Sequence, residues 1–80
     1  MALVLIVNGQ SRTFDELGSP EPLTRVVEQM QLKADRVAVE LNGEIAPRAG
    51  WAKVSVVSGD RLEVVHFVGG GSNQTRQARV

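Results

Sequence analysis

Few residues in this chain are equipped for side-chain chemistry. Its 80 residues include no cysteine and a single histidine, His66. Without cysteine there is no thiol nucleophile, no disulfide and no thiolate-bound zinc. One histidine cannot build a ligand cluster, and in a strand it packs or makes one hydrogen bond. No metal site is expected. Nine basic and nine acidic residues cancel, so the charge balance favours neither nucleic acid nor an anionic membrane as a partner. What remains is a main-chain feature. The closing stretch "HFVGGGSNQTRQARV", residues 66 to 80, runs from an apolar strand-like segment into Gly69, Gly70 and Gly71, then into polar residues. Glycine has no Cβ, so it allows close backbone approach and unusual φ/ψ. Such a run is also what a flexible linker to a tail looks like.

The elements that must position this segment follow from periodicity. In "ALVLIVNGQSRTF", Leu3, Leu5 and Val7 alternate with Val4 and Ile6, and Asn8-Gly9 is a preferred tight hairpin turn. The return strand is expected over Ser11–Phe14. "GSPEP" interrupts the chain. Leu23, Val26, Val27 and Met30 then recur at i, i+3, i+4 and i+7, the apolar face of a helix of about three turns. Pro20 and Pro22 suit its start. Val37, Val39 and Leu41 alternate with Ala38 and Glu40, and Asn42-Gly43 repeats the hairpin signal. A short return strand is expected over Glu44–Ala46. Trp51 is expected to anchor a loop or short 3₁₀ turn on the core. Arg48 is expected to pair with a carboxylate such as Glu44 or Asp60. "SGD" is a turn, and "RLEVVHFV" is the last strand, with Leu62 and Val64 on one face and Val65 and Phe67 on the other.

Two hairpins flanking one helix, with one more strand at the end, fit a single α+β layout. A mixed four- to five-stranded sheet wraps one main helix, with the last strand central beside the first. This is the β-grasp (ubiquitin-like) arrangement. A hydrophobic content of 42% suffices for one small core. The longest apolar run, residues 2 to 7, is far shorter than the ~18 residues that cross a bilayer. The start has no basic region or cleavage site of a leader peptide. A cytoplasmic location is expected.

The middle and end of the chain carry a more specific pattern: Leu41-Asn42-Gly43, Ile45-Ala46-Pro47-Arg48, Trp51, Gly59-Asp60, and a strand from Leu62 into Gly71. In these residues the chain resembles the sulfur-carrier proteins of thiamine-thiazole biosynthesis, the ThiS family. The early hairpin and the helix fit more loosely, so the resemblance covers residues 1 to 71. The related carriers of molybdenum-cofactor synthesis share the fold and the terminal glycines without this middle segment.

The resemblance implies that the α-carboxyl of Gly71 is the working group. It would be adenylated and converted to a thiocarboxylate, with Gly69 and Gly70 as a flexible arm. The chain would be a co-substrate with no catalytic side chain and no bound cofactor, and ATP would be used by its activating enzyme. The implied partners are an E1-like adenylating enzyme, a thiazole synthase and a sulfur donor such as a cysteine desulfurase. Val65 and Phe67, extended by Val4 and Ile6, are expected to form an apolar docking patch on the sheet face opposite the helix.

The chain departs from the family pattern after Gly71. As written, Gly71 is joined to Ser72 and has no free carboxylate. Three explanations stand open: a protease removes residues 72–80; the extension is an artefact or a misplaced stop codon; or the chain is a ubiquitin-like interaction module that keeps its tail. The extension is polar and carries Arg76 and Arg79, and it is expected to be disordered.

Overall fold

Alternation of burial along two strands organises the molecule. In the computed structural model, which describes residues 2–69 and 75–79, β1 (Leu3–Val7) buries Leu3, Leu5 and Val7 and exposes Val4 and Ile6. The Asn8-Gly9 turn has φ of 49° and 83°, the left-handed pair that such a turn requires. β2 (Gln10–Phe14) returns antiparallel, with Leu3 opposite Phe14.

A two-residue strand, β3 (Glu21–Pro22), leads into the helix α1 (Leu23–Gln29). Leu23, Val26 and Val27 are buried, as their spacing predicts. The first helical N–H, on Leu23, donates to the Val54 carbonyl at 2.9 Å, so a neighbouring loop supplies the cap that Pro22 lacks. The helix has about two turns, one fewer than expected. Its end is a Schellman motif. Gln31 sits at φ 59°, its N–H donates to Glu28 O at 2.9 Å, and Leu32 N–H reaches back to Val27 O at 3.3 Å. Glycine usually fills this left-handed position; here glutamine does, so Met30 becomes the cap.

A 3₁₀ turn at Ala34–Arg36 precedes β4 (Val37–Leu41), and β5 (Glu44–Ile45) returns after the second Asn-Gly turn. A second 3₁₀ segment, Arg48–Lys53, seats Trp51 at 1% exposure, with its indole N–H donating to Ala46 O at 2.7 Å. Trp51 is therefore the core anchor expected of it. β6 (Ser55–Val56) pairs with β3 as a separate two-stranded sheet. β7 (Arg61–Gly69) is the longest strand, and β8 (Thr75–Arg79) pairs antiparallel to it.

The main sheet runs β2-β1-β7-β4-β5, with β8 also on β7. β1 and β7 are parallel neighbours at the centre, and β4 is antiparallel to β7. This is the mixed sheet over one helix that the order of elements implied. Leu62 and Val64 face the helix with no exposure. Among the described residues, no helix is long and apolar enough to cross a membrane.

Residues 72–80 were expected to be disordered; of these, the structure describes Thr75–Arg79, as strand β8. Pairing along a strand edge satisfies main-chain N–H and C=O groups and needs no apolar side chains. The polar composition of this segment therefore did not forbid it.

Candidate functional site

β7 carries the chain from the core to the glycine segment, so its anchoring decides how that segment is presented. Both Asn-Gly turns dock on it. Asn8 donates its backbone N–H to Leu62 O at 2.8 Å. Its side chain accepts from Val64 N–H at 2.8 Å and donates to Val64 O at 3.3 Å. On the opposite edge, Asn42 N–H donates to Arg61 O at 2.8 Å, and Asn42 Oδ1 accepts from Arg61 N–H at 2.9 Å. Asn42 Nδ2 also donates to Asp60 Oδ1 at 3.1 Å, while Asp60 Oδ2 accepts from Val57 N–H at 2.9 Å. The two turns read from the sequence as hairpin punctuation are thus also clamps on the central strand. The sequence shows the dipeptides, but the long-range partners of their side chains depend on strand order.

The strand faces fall as the alternation predicts. Val65 and Phe67 are half-buried on the face opposite Leu62 and Val64, and they share it with Glu63. Val4 and Ile6 are 39% and 37% exposed on the same face of the sheet. The register, however, separates these two pairs. Ile6 lies opposite Arg61, so Val65 is four residues further along β7, about 13 Å at the usual strand rise. Between them lies a groove of about 680 Å³ lined by Ile6, Gly9, Asn42, Gly43, Arg61 and Glu63. The continuous patch of Val4, Ile6, Val65 and Phe67 expected from the sequence is therefore two apolar areas with Arg61 and Glu63 between them. Ile45, 75% exposed, adds an apolar side chain at the β5 edge.

His66 is half-buried on the helix-facing register of β7, opposite Val37. Among the described residues, no group of three or more potential ligands could hold a metal ion. Arg48 does not pair with Glu44 or Asp60; it reaches Ala34 O at 3.5 Å. Asp60 is already committed to Asn42 and Val57. Gly69 ends β7, opposite Thr75. Gly70 and Gly71 lie outside the described residues.

β7 is thus clamped on both edges, and in sequence it leads into the glycine run. The ThiS family model matches residues 5–71. The chain belongs to the ThiS family. A crystal structure of the thiamine biosynthesis protein ThiS from Geobacter metallireducens superposes with a TM-score of 0.73 at 34% identity, covering 86% of this chain and all of that one. A protein named thiazole synthase, from Paramagnetospirillum magneticum, is 41% identical over 70 residues, which is 88% of this chain and 21% of that protein. The chain thus spans about a fifth of that relative. The ThiS match ends on the third glycine, so Ser72–Val80 fall outside it.

Proposed function

We propose that this ThiS-family chain is a sulfur carrier for thiazole formation in thiamine biosynthesis, and that its working form ends at Gly71. The observation that carries this reading is the family match through the last of three glycines, at the end of a strand rooted in the core. Removal of residues 72–80 by a protease gives Gly71 a free α-carboxylate. That carboxylate attacks the α-phosphorus of ATP on an E1-like adenylating enzyme, and pyrophosphate leaves. The acyl-adenylate is a mixed anhydride, so a persulfide sulfur from a desulfurase-type donor displaces AMP. A second thiol then breaks the S–S bond and leaves a thiocarboxylate on Gly71. The thiazole synthase takes its sulfur from there.

The residues of this chain contribute presentation. Gly69, Gly70 and Gly71 have no Cβ to obstruct a narrow channel, and they suit two different enzyme sites. Val65 and Phe67, next to the arm, form the docking area. Val4 and Ile6 form a second one on the far side of the Arg61–Glu63 groove. The chain itself binds no cofactor, and it acts in the cytoplasm, where the ATP-dependent step takes place. The relative named thiazole synthase favours the thiazole branch over a molybdopterin-type carrier.

Intact-mass spectrometry tests the reading. A chain ending at Gly71, given the adenylating enzyme, ATP and a sulfur donor, should gain the mass difference between sulfur and oxygen. A chain that stays inert in that mixture would support the alternative, a ubiquitin-like interaction module.

A further inference from the structure

The backbone groups of β7 alternate between its two edges. Arg61 faces the β4–β5 side, where both its N–H and its C=O bond to Asn42. Leu62 and Val64 face the β1 side, where Asn8 bonds the Leu62 carbonyl and both polar groups of Val64. Strand period two then turns His66 and Val68 to the β1 side as well. β1 reaches only as far as Leu62 in its pairing with β7, and Asn8 extends the cover by one more outward-facing residue. Beyond that point the edge is open. β4 already holds the other edge up to His66, so β8, which pairs with Val65 through Gly69, must occupy the open one. Its rungs there are His66 with Ala78 and Val68 with Arg76.

We propose that this edge of β7 is a strand-accepting site and that β8 is its resident occupant, a latch that opens when the Gly71–Ser72 bond is cut. The ladder pairs the backbones of Val65–Gly69 and Thr75–Arg79, and main-chain hydrogen bonds hold it. β8 is five residues long and, among the described strands, pairs with β7 alone, so few hydrogen bonds hold it. The pairing persists because the covalent link keeps β8 at an effective concentration on the order of millimolar. While the link lasts, Gly69, the first residue of the arm, is held in the ladder opposite Thr75. Once the link is cut, β8 loses that covalent hold and can diffuse away. One cut therefore exposes the carboxyl of Gly71 and also releases the root of the arm. The consequence for the arm rests on the carrier reading above; the ladder itself does not, and the test reads the ladder.

The test is amide hydrogen exchange, read residue by residue in the full chain and in a chain ended at Gly71. The shorter chain keeps the buried core, which runs from Leu3 to Val64. The His66 and Val68 amides should exchange at least about tenfold faster in the shorter chain. The Val65 amide, on the β4 side, should not change. In the full chain, Ala78→Pro removes a donor to His66 and should reproduce the loss without any cut. Gln77→Pro should leave protection within about threefold, because its N–H faces outward and proline is tolerated at such edge positions. Adding the synthetic peptide SNQTRQARV to the shorter chain should restore protection only near about 1 mM. Equal exchange in the two chains would overturn the latch. So would restoration at micromolar peptide, because the cut would then release nothing. Persistent protection in a shorter chain that sediments as a dimer would also overturn it, by giving the edge to a second copy. Loss of protection with no later thiocarboxylation would contradict the carrier reading while leaving the latch in place.

Discussion

The side-chain amide of Asn8 pairs with both backbone polar groups of Val64, 56 residues away, at 2.8 and 3.3 Å. β1 turns away at this point, and the amide of Asn8 takes the place of the next residue of a strand. Asn8 also adopts φ 49°, so one residue makes the turn and extends the sheet. Few residue types do both, since asparagine tolerates the left-handed region and carries a donor beside an acceptor.

Asn8→Ala should therefore destabilise the domain by about 2–3 kcal/mol, combining two lost hydrogen bonds with left-handed strain. Asn8→Gly keeps the turn and should cost about 1 kcal/mol less. Urea denaturation followed by circular dichroism measures both. Equal costs for the two variants would show that the side-chain pairing dominates and the strain is negligible.

Trp51→Phe should cost about 2–3 kcal/mol. It leaves the Ala46 carbonyl without its indole donor and opens space in a fully packed site. Thermal unfolding by circular dichroism measures the loss. A change below about 0.5 kcal/mol would show that Trp51 is not the anchor of the 3₁₀ segment.

Phe67→Asp should leave stability within about 1 kcal/mol and weaken binding to the adenylating enzyme by about tenfold or more. Val64→Asp, one face away, should unfold the domain, because it buries an unpaired carboxylate where exposure is zero. Calorimetric titration and a denaturation curve give the two readouts. Unfolding by Phe67→Asp would reverse the assignment of the strand faces.

Ile6→Asp tests the second apolar area. With about 13 Å or more of strand between Ile6 and the Val65–Phe67 pair, its effect on binding should add to that of Phe67→Asp within about 0.5 kcal/mol. Strong non-additivity in a double-mutant cycle would mean that the two areas form one contact.

Much of this fold is legible in the sequence where side chains dictate structure. Leu3, Leu5, Val7, Leu62 and Val64 declare their strand faces by alternation, and Asn8-Gly9 and Asn42-Gly43 declare their turns. Less was legible where the backbone decides. β8 forms from polar residues because a strand edge asks only for N–H and C=O groups. The helix stops early at Gln31, where a Schellman motif formed without glycine. β3 and β6 are two residues each, too short to show a period. The two-part outer face depends on the register of β1 against β7, and alternation within each strand says nothing about register. In the candidate site, the glycine run and the faces of Val65 and Phe67 were readable, whereas the side-chain clamps of Asn8 and Asn42 were not.

The central claim is that the α-carboxyl of Gly71 carries sulfur. Intact-mass spectrometry of the chain ended at Gly71, incubated with adenylating enzyme, ATP and a sulfur donor, tests it most directly. The account predicts a shift equal to replacing one oxygen by sulfur, dependent on ATP and absent from the full chain that retains Ser72–Val80. An unchanged mass in the complete mixture, with an enzyme active on another ThiS-family carrier, would contradict it.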